Sequence, residues 1–478
     1  MEPESPLPVE EKAVRPSVPG TLLLVFTLFV TWTMLEGRNP AYLASTASKG
    51  SGIGILLSLF MDFKKGWRNM VRADVAALLS LYFLTLFEFL VPQEEVMEGL
   101  DVNLIRESLG YIFLGIGGLV CGRHLTSSEK VQRTAIFTAD VKPRTMVWLY
   151  AGCFVVGYLH MALAVQFNVV DWWHAVLEPR FFQPWSRGRY GDWKAMLTEL
   201  GMLLYLLPPL MGVVVARLNR YGFWSVVWMG CGTLITFFYG FSTGTRNLFC
   251  TYLVTFVIGY MFALKKENDK RILMMAGVAF FLLMLATSQM LHFRQIGFGA
   301  YLRGELDEEE ANKTLFVDMN LCTLTQVVDY FPRRHDYLGW EIPYLAVIRP
   351  IPRAVWPGKP QGMSVSMEQV VGADEAYTVA ASFVGEAYMS GGWVGILFSS
   401  LFFGALFGWW NRLGTESNSD WGILIYASGF FSAVITMRSL FVFTTAILPT
   451  LTALFIGYYL TREIKNRLHH SEPRGFDV

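Results

Sequence analysis

The chain has 478 residues, of which 53% are hydrophobic, 15% aromatic and only 16% charged. That is too little polar surface to cover a water-soluble globule of this size, so lipid has to be the main solvent. The 39 basic and 39 acidic side chains cancel, and nothing in that balance points to nucleic acid or to an acidic partner.

Unpaired backbone groups are costly in hydrocarbon, so each apolar run of about 20 residues predicts one helix crossing a bilayer. In chain order the runs are 20–36, 41–62, 73–92, 105–121, 145–167, 196–216, 222–240, 248–264, 272–291, 391–410 and a pair within 421–460, about twelve in all. The expected fold class is therefore all-α: a polytopic membrane protein forming a single integral domain over 1–478. Run 41–62 carries Lys49 and three glycines; if it enters the bilayer without crossing, the count becomes eleven and the N-terminus changes sides. The first run lacks an A-x-A cleavage pattern, which favours an uncleaved anchor.

Short cytoplasmic loops retain Lys and Arg. Every second loop here is basic: Lys64, Lys65, Arg68 and Arg72; Arg123, Lys130, Arg133, Lys142 and Arg144; Arg217 and Arg220; Lys265, Lys266, Lys270 and Arg271; and Arg462, Lys465 and Arg467. Loop 93–104 carries Glu94, Glu95, Glu98 and Asp101 with no cation, as an external loop should. Both termini are then expected in the cytoplasm.

Two segments on the external side are long, 168–195 and 292–390, and loops beyond about 15 residues in a compact fold are usually functional or disordered. In the second, Leu315, Phe316, Met319, Cys322, Val327 and Tyr330 share one helical face over 314–331, the pattern of a helix lying at the membrane surface. The external side also keeps arginines that the orientation rule disfavours: Arg180, Arg187, Arg189, Arg246, Arg294, Arg333, Arg334, Arg349 and Arg353, followed by Lys359. Arg438 interrupts the apolar stretch 421–460 near its midpoint, at a tight external hairpin or just inside the membrane. The planar fork of arginine makes paired hydrogen bonds to phosphate oxygens, so several converging near one surface suit a lipid diphosphate. The bland alternative, contact with ordinary headgroups or loop carboxylates, has least force for Arg246 and Arg438, which have no acidic neighbour in sequence.

Neither a DxD, a Walker-type loop nor GxGxxG is present, so ATP hydrolysis and nucleotide-sugar use are unsupported. The scattered cysteines and His160, His174, His292 and His335 have no metal-binding spacing; the acidic run 305–310 has pairs one residue apart, a spacing that can hold a divalent ion, but reads as a solvated charge run, and neither a metal nor a cofactor is expected. Glu88, Glu199 and Glu386 are carboxylates in or beside the spans; Glu386, in SFVGEAYMSGGWVG, is placed to serve as a general base.

The stretch VIRPIPRAVWPGKPQG and the later SFVGEAYMSGGWVGILFSSLFFG resemble the Wzy-type oligosaccharide repeat-unit polymerases of bacterial surface polysaccharide synthesis. The resemblance rests on Ile351, Pro352, Arg353, Trp356, Pro357, Lys359, Pro360, Gly385, Glu386 and Tyr388, and on the turn Thr243-Gly244-Thr245-Arg246. It implies a GT-C-like glycosyltransferase of the bacterial cytoplasmic membrane with a large periplasmic loop. Such an enzyme moves a glycan from its undecaprenyl-diphosphate carrier onto a new lipid-linked repeat unit, with inversion, and takes a chain-length regulator as partner. On this basis Arg246, Arg353 and Arg438 are expected to bind the diphosphate, with Arg294 and Lys359 assisting, while Glu386 or His335 activates the acceptor hydroxyl. An O-antigen-ligase-type transferase, and a non-enzymatic flippase for the same lipid-linked sugar, are the competing expectations.

Overall fold

The computed structural model describes residues 14–471 except 38, 65, 127–140, 181, 187–192, 265–268, 294–295, 306–319, 354, 361, 373–379 and 418. Among the described residues every regular element is helical. Eight helical stretches are long and apolar enough to cross a membrane: Pro40–Phe63, Val102–Gly122, Pro143–Ala164, Leu197–Ala216, Phe223–Ser242, Arg246–Ala263, Ser382–Gly414 and Leu440–Tyr459. Val18–Thr33, Ala73–Thr85, Met274–Met290 and Asp420–Thr436 are apolar but shorter. Each apolar run read from the sequence falls on one of these helices. Run 41–62 is an uninterrupted helix of 24 residues despite its glycines, because Gly50 and Gly54 face Thr31, Leu24 and Thr27 of the preceding helix, where a side chain would collide.

In chain order the main helices are α1 (Val18–Thr33), α2 (Pro40–Phe63), α3 (Ala73–Thr85), α4 (Val102–Gly122), α5 (Pro143–Ala164), α6 (Val169–Leu177) and α7 (Leu207–Ala216). They continue as α8 (Phe223–Ser242), α9 (Arg246–Ala263), α10 (Asp269–Phe293), α11 (Asn320–Tyr330) and α12 (Glu341–Ile348). The last four are α13 (Ser382–Glu416), α14 (Asp420–Ser428), α15 (Phe430–Thr436) and α16 (Leu448–Ser471). Helices in lipid gain little from the hydrophobic effect between them, so close backbone approach has to supply the attraction. The α4–α13 crossing achieves it with two small-residue pairs, Gly118/Gly122 and Gly404/Gly408. A Cβ on Gly118 would lie 2.5 Å from that of Ser400, and one on Gly408 would lie 2.5 Å from the Arg123 carbonyl.

One end of the bundle is closed by a buried ion network. Arg72, at the N-cap of α3, is 0% exposed. Its guanidinium donates to both carboxylate oxygens of Asp74, each at 2.9 Å, to Asp62 Oδ2 at 2.8 Å and to the Asn69 carbonyl at 2.6 Å. Arg123, just past α4 and 1% exposed, reaches Asp74 Oδ2 at 3.2 Å and Thr21 at 2.5 Å. Asn411 of α13 donates to Asp74 at 2.5 Å and accepts the Ala73 N–H at 2.8 Å. The network thus joins α1, α2, α3, α4 and α13 at one end. A second cluster holds Asp420 at the start of α14 between Arg217, Arg220 at 3.3 Å and the Tyr221 hydroxyl at 2.9 Å. These four arginines, counted in the sequence as loop cations, are also ion-paired: Arg72 and Arg123 are buried and Arg217 and Arg220 partly buried, and charge removed from water is retained only with partners.

Two expectations are corrected. Of the helix expected over 314–331, residues 314–319 lie outside the described set, and the remainder, α11, is not a surface helix. Leu321, Cys322, Leu324, Val327 and Val328 are all buried, Asn320 donates to the Leu84 carbonyl at 2.9 Å, and α11 packs against α4 and α13. The run 391–410 belongs to a longer helix that starts at Ser382 and kinks at Gly391–Gly392, so the large intervening segment ends earlier than 390. The glycine pair reads as a helix start in sequence, yet here it bends a helix already formed.

Removing one partner of a buried pair strands the other charge, at a cost of about 3–5 kcal/mol. Arg72→Ala should therefore sharply lower the thermal midpoint of the detergent-solubilised protein. Lys64→Ala, at an exposed helix end, should stay within about 0.5 kcal/mol.

Candidate functional site

At the opposite end of the bundle, three segments distant in sequence meet around Glu386. Its side chain is 5% exposed and lies on the stretch of α13 that precedes the kink. The carboxylate accepts the Phe441 N–H at 3.3 Å and is also bonded by the Ser439 side chain and the Leu440 N–H, with Arg349 close enough to act on its charge. The turn 437–442 is fixed to α13 by the Phe383 N–H, which donates to the Met437 carbonyl at 3.0 Å. Thr444, just beyond it, donates to the Ala346 carbonyl of α12 at 2.5 Å. Arg438, half-buried, sits in this turn directly before the Ser439 that holds Glu386.

The Pro-rich segment after α12 folds back on itself through its own cations. Lys359 Nζ donates to the carbonyls of Arg349 at 2.8 Å and Ile351 at 2.9 Å. Arg353 donates in return to the carbonyls of Lys359 at 3.0 Å and Pro360 at 3.1 Å. Two residues expected to bind phosphate thus first serve to close a loop. Arginine carries five N–H donors and lysine three, so each keeps donors beyond these bonds. Partial burial, with Arg353 and Arg349 alongside, lowers the Lys359 amine below the ordinary lysine range, against the opposing pull of Glu199. Glu199 precedes α7, so the stretch following the first long loop also reaches this place.

Arg349 is the residue that sequence reasoning passed over. It was one cation among many on the external side, whereas in the fold its carbonyl anchors Lys359 and its charge reaches Glu386, more weakly than the Ser439 and backbone donors do. Its position between Ile348 and Pro350, where α12 has to stop before the proline, was the only available signal.

The other expected residues lie elsewhere. His335 Nδ1 contacts the Asp336 carbonyl at 2.7 Å, and the ring stands edge-on to Phe331 at 5.7 Å. Neither contact involves Glu386; the link between them is indirect, through the Tyr388 hydroxyl donating to the Phe331 carbonyl at 3.2 Å. Arg246 begins α9, half-buried, and its guanidinium makes no hydrogen bond or ion pair among the described residues; its field reaches Cys250. Next to it Arg180 donates to Thr245 Oγ1 at 3.3 Å. Arg353 and Lys359 thus share one loop with Arg349, whose charge reaches Glu386, Arg438 adjoins the Ser439 that bonds Glu386, and Arg246 makes no hydrogen bond or ion pair with either group among the described residues. Arg294 lies outside the described residues.

The profile of a domain of unknown function, DUF8712, matches residues 288–418, which include His335, Arg349, Arg353, Lys359 and Glu386 but neither Arg246 nor Arg438. No curated protein matches the chain, and no solved structure does.

The kink that sets Glu386 apart from the rest of α13 depends on Gly392, at φ +61°, ψ −145°, a conformation that is essentially glycine-only. A Cβ there would also lie 2.8 Å from the Tyr337 hydroxyl. Gly392→Ala should cost about 1–3 kcal/mol in a thermal-unfolding series, whereas Gly117→Ala, mid-helix with open space around it, should be neutral or stabilising.

Proposed function

We propose that this chain is a glycosyltransferase of the bacterial cytoplasmic membrane. It joins undecaprenyl-diphosphate-linked oligosaccharide repeat units into surface polysaccharide, by inverting transfer at the periplasmic face and without nucleotide. The observation that supports this reading is that Glu386, buried and held by Ser439 and the Phe441 N–H, lies within reach of the charge of Arg349, which opens the self-closed segment 349–360, so the two halves of the Wzy-like pattern are neighbours. In this reading the chain crosses the membrane twelve times in a GT-C-like arrangement, with both termini cytoplasmic. The Arg72–Asp74 and Arg217–Asp420 clusters then lie at the cytoplasmic end and Glu386 at the periplasmic end.

The chemistry needs one base and one stabiliser for a departing diphosphate. Glu386 accepts the proton of the acceptor sugar hydroxyl while the freed oxygen bonds to the anomeric carbon of the donor, and the bond from that carbon to the diphosphate oxygen breaks. The electron pair leaves with the diphosphate, whose charge Arg349 and Arg438 offset. Ser439 and the Phe441 N–H hold the carboxylate in place, and Arg353 and Lys359 keep the cationic loop folded beside it. Two N–H donors fixing the orientation of Glu386 favour it over His335 as the base.

In proteoliposomes with purified lipid-linked repeat units, wild-type protein should form ladders without added nucleotide. Glu386→Gln should slow them by about 10²–10⁴-fold, the usual contribution of a general base. Ladders at the wild-type rate from that variant would remove Glu386 from the reaction. Because the Lys359 amine is lowered, raising pH should remove its positive charge, and weaken ladder formation, below the range in which a free lysine titrates. Lys359→Arg should abolish that alkaline step, since arginine keeps its proton.

A further inference from the structure

α12 is apolar on both sides. Ile342 and Ile348 are buried at 2% and 5% exposure, and the helix packs against the 437–446 turn and the start of α13. Tyr344 and Val347, three residues apart on one face of the helix, are 48% and 69% exposed, Trp340 at its N-cap 82%, and Ile351 and Val355 in the segment after it 36% and 66%, so an apolar stripe runs along the helix and into the following turn. With only eight residues the helix is far too short to cross a bilayer, so this open stripe is not explained as the wall of a span.

Three observations indicate what covers it. Thr444, which bonds the Ala346 carbonyl of α12, lies within the candidate span Leu440–Tyr459, so α12 sits at the depth of the outermost turns of a membrane helix. An exposed tryptophan opens the stripe, in the position such residues take at a lipid–water boundary. At its far end stand Arg349, Arg353 and Lys359, a cationic group placed where a lipid phosphate would lie if its chain followed the stripe.

We infer that α12 and the turn after it form an interfacial helix half-immersed in the leaflet on the Glu386 side, its open face receiving the hydrocarbon chain of an anionic lipid whose phosphate meets the Arg349–Lys359 cations. Only the identity of the physiological lipid, a polyprenyl diphosphate, rests on the proposed function; the stripe would then be a sideways entry from bilayer to Glu386. The helix expected at the membrane surface over 314–331 is thus replaced in that role by α12.

Single nitroxide labels at 344, 347 and 351, with Glu305 as an exposed control, test the depth in proteoliposomes by power saturation. The three stripe labels should collide more with oxygen than with a water-soluble nickel chelate, and the control should do the opposite; chelate-dominated collisions at all three would overturn the inference. A photo-crosslinker at 347 then tests the headgroup in vesicles containing phosphatidylglycerol and phosphatidylcholine. Crosslinks should be enriched in the anionic lipid, and Arg349→Ala should reduce that enrichment severalfold; equal labelling of both lipids would refute the anionic part. Neither measurement uses sugar transfer, so absence of ladders with a positive depth pattern would count against the proposed enzyme alone.

Discussion

A carboxylate inside the apolar end of a helix bundle has to be held by donors, and the donors of Glu386 come from a turn more than fifty residues further along the chain. Ser439 and the Phe441 N–H belong to the turn that reverses the chain between α15 and α16. Arg349, at the end of α12, adds only its charge at longer range, and its carbonyl anchors Lys359. Glu386, the Phe383–Met437 bond and the Thr444–Ala346 bond together fix the start of α13, the 437–442 turn and α12 relative to one another. An unpaired charge at such depth is costly, so these contacts are linked rather than independent.

The other end of the bundle solves the same problem differently. Arg72, Arg123, Asp62 and Asp74 neutralise one another with nearly every donor satisfied, and Asn411 ties α13 into that lock. α13 is thus fixed by its far half and free to bend at Gly391–Gly392, which aims its first turns separately from the rest of the helix. Close glycine contacts with α4 keep the far half rigid. A rigid helix whose short first segment is separately aimed is a suitable mount for a group that must be positioned against a ligand.

The helices were legible in the sequence because twenty consecutive apolar residues are a local property, and each run falls on a helix. Matters decided by neighbours were not. The periodicity of 314–331 identified an apolar face, but not that α4 and α13 would cover it, and Gly391–Gly392 read as a beginning because a kink and a start share the same residues. Arg72, Arg123, Arg217 and Arg220 stood out as basic positions, while their pairing with Asp62, Asp74 and Asp420, which lie in the end turns of helices, depended on how those helices pack. Within the candidate site, Glu386, Arg353, Lys359 and Arg438 were named from motif and position; the fold pairs Arg353 with Lys359 in one loop and sets Arg438 beside the residue that bonds Glu386. Arg349 was missed because its importance lies in what it faces, and Arg246, which sequence grouped with Arg353, stands apart at the head of α9.

The central claim is that Arg349 and Glu386 act as one unit, and a double-mutant cycle in the reconstituted ladder assay tests it most directly. Arg349→Ala, Glu386→Gln and the double variant would be compared at equal levels of folded protein. The account predicts that the double variant is no slower than the slower single one, since residues acting as a unit are strongly non-additive. Losses that multiply, as they do for independent sites, would contradict it.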